Sequence, residues 1–389
     1  MAGDKIKDLL SIQDQNTRQN ACRAYIQEIF KAQNLQASRL FLTQLISSEL
    51  TLANTRQLFS IFVENMNLLN NNSMLDLGSY ALETISPKST SFEEEELKIR
   101  DQIYDVHCAK RDYLSAARIL SAINFDAFSR VLTVDHKCDK YIKIAECYLE
   151  FGESAYAEQY NSRAGALIEN CNDISAKLRY KVCHARILDS KKEFLQAARN
   201  YYILSQEGKY GVMESDLLQL LQCAITCAIL AKAGPQRSRL LATLYQDERS
   251  SHLENYDILE KLFMQRIIKK PDMEKFSEKL QDHHKALLSS GRTVLETAMI
   301  EHNIIAISKL YTNLTFNELG DVLQVSAIQA EKYLADMVQE GRIKASLDQR
   351  SGIAEFEGEN EGLNEWENQI NLLCKSVEDV VREIQSVYS

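Results

Sequence analysis

The amino-acid sequence predicts a mainly α fold, in which a solenoid of helical hairpins leads into a winged-helix module and then a long C-terminal helix. Three observations support this class: few chain-breaking residues, a recurring alanine-containing pattern, and one hairpin pattern that follows three helical ones. The 389 residues include only 3 Pro and 13 Gly, well below the average usage of about 5% and 7%. Such a chain sustains long helices, whereas all-β and α/β folds need more turn residues.

The solenoid is indicated by three similar amphipathic stretches, "DYLSAARIL", "ESAYAEQYNSRA" and "EFLQAARNYYIL". Alignment on Ala116, Ala157 and Ala197 gives steps of 41 and 40 residues, and each stretch follows another helical pattern. Two amphipathic helices per unit, with alanine where they pack closely, are typical of helical-hairpin repeats. An irregular helical domain with coincidental spacing is the alternative. We assign N-terminal repeats to residues 1–190 and further repeats to 191–290.

The winged-helix module is predicted over residues 291–362. Within it, Thr315 and Glu318 have the spacing of a capping box at a helix start, and Gly341 is a helix-ending residue. The stretch "GRIKASLDQRSGIAEFE" then alternates apolar and polar residues on both sides of Gly352. This pattern predicts a β-hairpin, the wing.

The hairpin could join another protein or hold a nucleic acid. The helix that would enter a DNA groove, residues 326–340, has three acidic residues and one lysine, and the whole chain has a net charge of -10. Both charges oppose phosphate contacts. An exposed strand edge instead offers backbone groups to a second sheet. We therefore predict a partner-binding edge formed by Arg342, Ile343, Lys344, Ile353 and Phe356.

The tail, residues 363–389, has the clearest periodic pattern in the chain. Its apolar residues alternate steps of four and three, which is the pattern of a narrow heptad seam that packs lengthwise against other helices. Packing of this helix on its own domain is the alternative. The predicted partner-binding residues of the seam are Trp366, Ile370, Leu373, Val377, Val380, Ile384 and Val387.

No motif for catalysis or metal binding is found. The chain lacks His-Glu-x-x-His, the His-x-His zinc pattern, a Gly-rich phosphate loop and a nucleophile elbow. The adjacent His283 and His284 are predicted to be exposed and to point in different directions. Cys223 and Cys227 are four residues apart on an apolar helix and are predicted to be buried small hydrophobes rather than ligands. We therefore expect no catalytic residue, no cofactor and no metal site.

Composition also gives an expectation for the compartment. The nine cysteines are scattered, which favours reduced thiols in the cytoplasm or nucleus. The N-terminus, "MAGDKIKDLL", has no apolar signal-peptide core. The longest apolar stretch, "CAITCAILA", is much too short to cross a bilayer, so no membrane interaction is expected.

The combination of TPR-like helical hairpins with a winged helix resembles the PCI-domain proteins of the proteasome lid, the COP9 signalosome and translation initiation factor three. The similarity is greatest to the signalosome members, covers residues 90–389, and places the PCI domain at 191–362. The stretches that carry it are "YKVCHARILD", "AGPQRSRLLATLYQDER", "AMIEHNIIAISKLYTNLTFNELG" and "EGRIKASLDQ".

The resemblance implies a non-catalytic scaffold in a complex that removes a ubiquitin-like modifier from cullins. In such complexes winged helices associate edge to edge, C-terminal helices form one bundle, and a separate metalloprotease subunit carries out the zinc chemistry. The implied partners are the other signalosome subunits, including the metalloprotease pair, and cullin–RING ligases, with no nucleic acid. The N-terminal repeats would contact the ligase and the metalloprotease pair. A subunit of the proteasome lid and a winged-helix nucleic-acid binder are the alternatives.

The seam prediction is testable by introducing charge into it. Burial of seven apolar side chains at about 1.5 kcal/mol each is worth about 10 kcal/mol before ordering costs. We expect the double variant Ile370→Asp, Val377→Asp to be lost from its complex while its circular-dichroism spectrum stays helical. Normal co-purification of this variant would refute the seam.

Overall fold

The computed structural model describes residues 2–12, 14–47, 50–125, 132–208, 213–286 and 291–356, and the helical positions 366, 370 and 373. It confirms the mainly α class, with eighteen α-helices and one three-stranded sheet in these residues. The chain divides into two compact units, Met1–Ile187 and Leu188–Ser389. The domain limits set from the sequence stay predictions.

The α-helices are numbered in chain order, and short 3-10 segments between some of them are named by their residues. The helices are α1 Ala2–Leu10, α2 Gln15–Lys31, α3 Leu35–Ser47, α4 Leu52–Asn65, α5 Asn71–Ile85, α6 Glu93–Ala109, α7 Tyr113–Ser121, α8 Val134–Phe151, α9 Ser154–Ile168, α10 Ile174–Ser190, α11 Phe194–Ser205, α12 Glu214–Leu230, α13 Pro235–Gln246, α14 Tyr256–Phe263, α15 Lys270–Glu278, α16 Val294–Leu310, α17 Phe316–Leu323 and α18 Ala327–Gln339. The strands are β1 Asn313–Thr315, β2 Ala345–Asp348 and β3 Ile353–Phe356.

The first two helical hairpins predicted from the alanine pattern, α6–α7 and α8–α9, are present. In the first unit α7 packs against α6 and α8, and α8 packs against α9. The aligned residues Ala116, Ala157 and Ala197 are all completely buried. A methyl side chain at these positions lets helices approach closely, so the repeat spacing reports the packing of real helix pairs.

The first five helices of this unit contribute to a separate core of leucine and isoleucine residues in which several phenylalanines pack together. Phe41 and Phe62 stack with ring centroids 5.9 Å apart, and Phe30 meets Phe62 edge-on at 5.0 Å. These helices lack the regular alanine pattern because bulky aromatic rings, rather than close backbone approach, fill the space between them.

The winged helix of the second unit consists of α16, β1, α17, α18, β2 and β3. Thr315 caps α17 in a capping box with Glu318, as predicted. Gly341 follows α18 with a φ of 67°, in the left-handed region that favours glycine. The strands β2 and β3 form the predicted antiparallel hairpin, and β1 adds to its other side, so the sheet order is β1-β3-β2.

Helix α16 is the centre of the second unit and is buried on all sides. Three consecutive polar residues within it, Glu301, His302 and Asn303, are each less than 10% exposed. Asn303 holds the loop before α15 through both of its amide groups, since Nδ2 donates to the carbonyl oxygen of Ile268 at 3.0 Å and Oδ1 accepts from its N–H at 2.9 Å. The Nε2 of His302 contacts the carbonyl oxygen of Arg266 at 3.0 Å. Buried polar groups that are satisfied in this way specify one packing arrangement.

Glu301 joins the base of the wing to the helical repeats. Its carboxylate accepts two hydrogen bonds from the Arg342 guanidinium, at 2.5 and 3.1 Å, and one from the N–H of Ala233 at 3.1 Å. Arg342 also donates to the carbonyl oxygen of Ala233 at 3.3 Å. Both charged side chains are largely buried, with exposures of 12% for Arg342 and 7% for Glu301. One ion pair therefore connects the α12–α13 junction, α16 and the start of the wing.

We expect Arg342→Ala to destabilise the second unit by about 3 kcal/mol, because it leaves a buried carboxylate without its partner. Removing both charges with Arg342→Leu and Glu301→Leu should cost less than the sum of the two single changes. Urea denaturation combined with hydrogen exchange over residues 291–356 measures the effect and its non-additivity.

Arg350→Ala is the matched control, because Arg350 is an exposed arginine of the same hairpin. Its loss should change the free energy of unfolding by less than about 0.5 kcal/mol. Equal destabilisation by the two arginine variants would contradict the role of the buried pair.

The stability of the second unit should also fall in mild acid. Burial, together with the nearby charge of Arg237, lowers the pKa of His302 to about 4, against about 6.5 in an unfolded chain. The unfolded state therefore binds the proton first, and stability is lost as the pH falls from 6.5 towards 4. Between pH 7 and pH 5 the loss is about 2 kcal/mol. Denaturation at both pH values should show this loss, and His302→Gln, which retains an N–H donor, should remove it; an unchanged pH dependence in the variant would exclude His302 as the cause.

Candidate docking surfaces

The outer edge of β2 is the open edge of the wing. In the described part of the chain β2 pairs only with β3, while β3 is covered on both sides. The side chains of Ser346 and Asp348 are exposed, and those of Ala345 and Leu347 turn towards the core. One edge of β2 is therefore available for pairing with another strand, and the exposed side chains of β2 are small or polar.

The hydrogen-bond pattern identifies which backbone groups of this edge face outwards. The N–H of Phe356 donates to Thr312, and the N–H of Phe316 donates to Gly352, both at 2.8 Å. The backbone N–H and C=O groups of the even-numbered residues of β3 therefore point towards β1. Because these directions alternate along a strand of an antiparallel sheet, the backbone groups of Ile353 and Glu355 point towards β2. Their partners are Asp348 and Ser346. It follows that Ala345 and Leu347 direct their N–H and C=O groups to the open edge.

The predicted edge residues before the strand need correction, because β2 begins at Ala345 rather than at 342. Arg342 is not part of the edge, since its guanidinium is bound by Glu301. Ile343 is half-buried and packs against the core of the winged helix. Lys344 is exposed and immediately precedes the strand. The alternating sequence pattern was correct in kind, but it began two to three residues too early.

The predicted edge residues in the second strand are also misplaced. Ile353 and Phe356 belong to β3, whose two sides are occupied by β1 and β2. Phe356 is buried in the same apolar cluster as Leu319 and Leu334. The prediction was wrong because the sequence shows a hairpin of two strands, and the third strand, which moves β3 to the centre, is only three residues long.

Two apolar residues of the winged helix are exposed. Ile328, in the first turn of α18, is 80% exposed, and Val322 on α17 is also exposed. The helical period cannot show that the first turn of α18 projects beyond the sheet. The helix that would enter a DNA groove, α18, therefore has an exposed isoleucine as well as acidic residues. Because Arg342 is paired with Glu301, the basic residues that the wing could offer to a phosphate are Lys344 and Arg350.

The seam of the C-terminal tail is described at three positions. Trp366, Ile370 and Leu373 are helical and are 66%, 45% and 70% exposed. Their spacing of four and three residues is that of the predicted seam. Val377, Val380, Ile384 and Val387 lie outside the described residues. The role of the seam in partner binding stays a prediction.

Of the two adjacent histidines that were predicted to be exposed, His284 is buried and His283 is partly exposed. His284 is 4% exposed, and its Nε2 lies 2.8 Å from one carboxylate oxygen of Asp189. The Nε2 of His283 lies 3.3 Å from the other oxygen, so both rings point to one group. Burial would raise the pKa of Asp189, but the two histidines outweigh burial and hold that pKa well below its usual range. Sequence reasoning missed this cluster because Asp189 and His284 are 95 residues apart.

Cys227 lies in the same cluster and is buried as predicted. Burial, with the negative charge of Asp189, raises the pKa of its thiol well above the usual value. A protonated thiol is a poor nucleophile. The Nε2 of His284 is directed to Asp189, so the described contacts do not form the Cys/His/Asp relay that nucleophilic catalysis uses.

The described helices were also compared with the requirements for crossing a bilayer. Within residues 2–12, 14–47, 50–125, 132–208, 213–286 and 291–356, none combines the necessary length and apolar character.

Two family models match the chain. The model described as "PSMD12/CSN4, N-terminal" matches residues 7–210, and the model described as "PCI domain" matches residues 259–357. The second match contains α16, α17, α18 and the whole sheet. The PCI module named from the sequence is thereby confirmed.

Three relatives align over nearly the whole chain, and each is a COP9 signalosome complex subunit 4. The protein of Arabidopsis thaliana is 38% identical over 95% of this chain and 95% of its own length. That of Dictyostelium discoideum is 37% identical over 97% and 96%, and that of Drosophila melanogaster is 37% identical over 89% and 84%. Identity at this level over both units shows that the chain belongs to the COP9 signalosome complex subunit 4 family of PCI-domain proteins.

Proposed function

We propose that this chain is a non-catalytic scaffold subunit of a COP9 signalosome. The complex removes a ubiquitin-like modifier from cullins of cullin–RING ligases, and its metalloprotease is a separate chain. Membership of the subunit 4 family supports the assembly. The arrangement of the wing supports the role of this chain within it.

The observation that carries the proposal is the open edge of β2 on a rigidly held wing. Ala345 and Leu347 present backbone groups that no described strand satisfies, and the Arg342–Glu301 pair holds the start of the wing against α16. A preorganised edge pairs with another sheet at a lower entropic cost than a free strand would. The partner is the winged helix of another PCI subunit.

The other parts of the chain take complementary roles in the proposal. The tail packs its seam into a bundle with the C-terminal helices of other subunits, and Trp366, Ile370 and Leu373 support this through their exposure. The N-terminal repeats contact the cullin–RING ligase and the metalloprotease pair. The assembly works in the cytoplasm and nucleus, without nucleic acid or membrane.

The test replaces one outward-facing edge residue by proline. Ala345→Pro removes an N–H that faces the open edge and leaves the N–H groups of Ser346 and Asp348, which pair with β3, intact. We expect the tagged variant to recover about tenfold less of the other PCI subunits from cells, since a lost hydrogen bond and a ring clash together exceed 1.4 kcal/mol. Quantitative mass spectrometry of the recovered partners is the measurement.

Two variants control this experiment. Ser346→Ala changes an exposed side chain and no outward backbone group, so its partner recovery should equal that of the unaltered chain. Ser346→Pro breaks the pairing of β2 with β3 and should reduce stability as well as binding. Full recovery of partners by Ala345→Pro would exclude edge pairing. Recovery of proteasome-lid subunits instead of signalosome subunits would overturn the assigned complex.

A further inference from the structure

The cluster of Asp189, Cys227 and His284 combines ligand types that metal ions prefer, at a place where the sequence predicted no metal site. Asp189 lies in the last turn of α10, Cys227 lies in α12, and His284 lies in the 3-10 segment Asp282–Lys285. One carboxylate oxygen, the thiol sulfur and one imidazole nitrogen all lie within 4.8 Å of one another. All three residues are buried.

A fourth candidate donor, His283, lies next to these three residues and contacts only the second oxygen of Asp189. The Nε2 atom of His283 is buried and has no well-aligned hydrogen bond among the described residues, although the ring as a whole is partly exposed. It lies 3.3 Å from the second oxygen of Asp189, and the two histidine rings are 3.9 Å apart. At this distance and without good alignment, the contact with Asp189 satisfies the buried nitrogen only weakly. A ligand at the centre of the cluster would satisfy it.

The chemistry of this donor set fits zinc. Zn²⁺ takes four ligands from Cys, His and Asp at about 2.0 to 2.3 Å, so ligand atoms around a tetrahedral ion lie about 3.5 Å apart. The donor atoms of Asp189, Cys227 and His284 lie within 4.8 Å of one another, so rearrangement of these side chains alone could place them around one ion.

The charges also balance. With a carboxylate, a thiolate and two neutral imidazoles, the ligand set carries two negative charges, which a divalent cation neutralises. Without the cation, Asp189 is a buried negative charge held only by hydrogen bonds.

We propose that Asp189, Cys227, His283 and His284 form a structural binding site for a divalent cation of the zinc class. When the ion binds, the Cys227 thiol loses its proton to solvent, and each histidine gives up its hydrogen bond to Asp189 and carries its single ring proton on Nδ1, so that the Nε2 lone pair is free for the metal. Four protein ligands leave no open coordination position, which is the arrangement of structural zinc sites rather than catalytic ones. The phenyl ring of Phe194, 5.9 Å from the His284 ring, helps to keep the site dry.

The consequence for the fold is a cross-link between three parts of the second unit. The ion would join the last turn of α10 and the last turn of α12 to the segment Asp282–Lys285, which precedes α16. Metal binding of this kind stabilises the folded state by mass action. The site lies apart from the β2 edge, so this inference does not depend on the proposed scaffold function.

The primary test adds Co²⁺ to the full-length chain after exhaustive chelation, and then displaces it with Zn²⁺. We expect the intense visible bands of tetrahedral cobalt, a thiolate-to-cobalt charge-transfer band, and about one zinc per chain by elemental analysis of the untreated protein. Zinc should also raise the midpoint of thermal unfolding. A folded, chelated chain that binds neither ion would overturn the proposal, whatever the variants do.

Matched variants identify the ligands. Cys227→Ser should abolish the charge-transfer band, whereas Cys223→Ser, one helical turn away on α12, should retain it. His284→Gln should weaken zinc binding at least 100-fold, and His283→Gln at least tenfold, in competition with a chromophoric chelator. Loss of the band in Cys223→Ser but not in Cys227→Ser would overturn the assignment, as would zinc binding that survives in His284→Gln.

Discussion

The buried ion pair of Arg342 and Glu301 is the interaction on which the geometry of the winged helix depends. Alone, Glu301 would be an uncompensated charge inside α16, and Arg342 would be one more basic residue on a surface hairpin. Together they also bind both backbone groups of Ala233, at the junction of α12 and α13. A salt bridge of this kind adds little net stability relative to an apolar contact, but it permits only one arrangement of the groups that it joins.

His302 and Asn303 extend the same principle along α16. His302 and Asn303 both contact the loop before α15, whereas Glu301 contacts Ala233 and Arg342, so neighbouring segments are hydrogen-bonded to this buried helix. The other buried residues of α16 are apolar, and apolar contacts tolerate rotation and sliding more readily than hydrogen bonds do. The polar triplet therefore sets the register in which the repeats, α16 and the wing meet.

Because the wing is fixed in this way, its open edge is already ordered before a partner strand binds. Proteins usually protect such edges with charge, twist or coverage. Here the edge has Ser346 and Asp348 on its solvent face, Lys344 before it, and backbone groups along it that pair with no described strand, and the exposed Ile328 lies on α18. These features are typical of a surface that is completed by another protein, and they agree with membership of a family whose members are named as parts of one complex.

The features that the sequence by itself determined are those that depend on local pattern. The repeat of Ala116, Ala157 and Ala197, the capping box of Thr315, the turn at Gly341 and the hairpin around Gly352 each follow from residues within a few turns of one another. Local rules of backbone geometry and periodicity suffice for such elements. They also sufficed for the family, because the distinctive stretches are continuous in the chain.

Only the tertiary structure decided what those elements do. Arg342 is not at the sheet edge because it is bound by a glutamate 41 residues earlier. Phe356 lies in the central strand because a three-residue strand from another segment pairs with β3. His284 is buried, and its ring contacts the carboxylate of Asp189, 95 residues away in the sequence. In each case the deciding contact joins distant segments. The free energy of burying a charge or of adding a strand to a sheet depends on which distant residues become neighbours in the folded chain. The periodicity of the sequence carries no information about those neighbours.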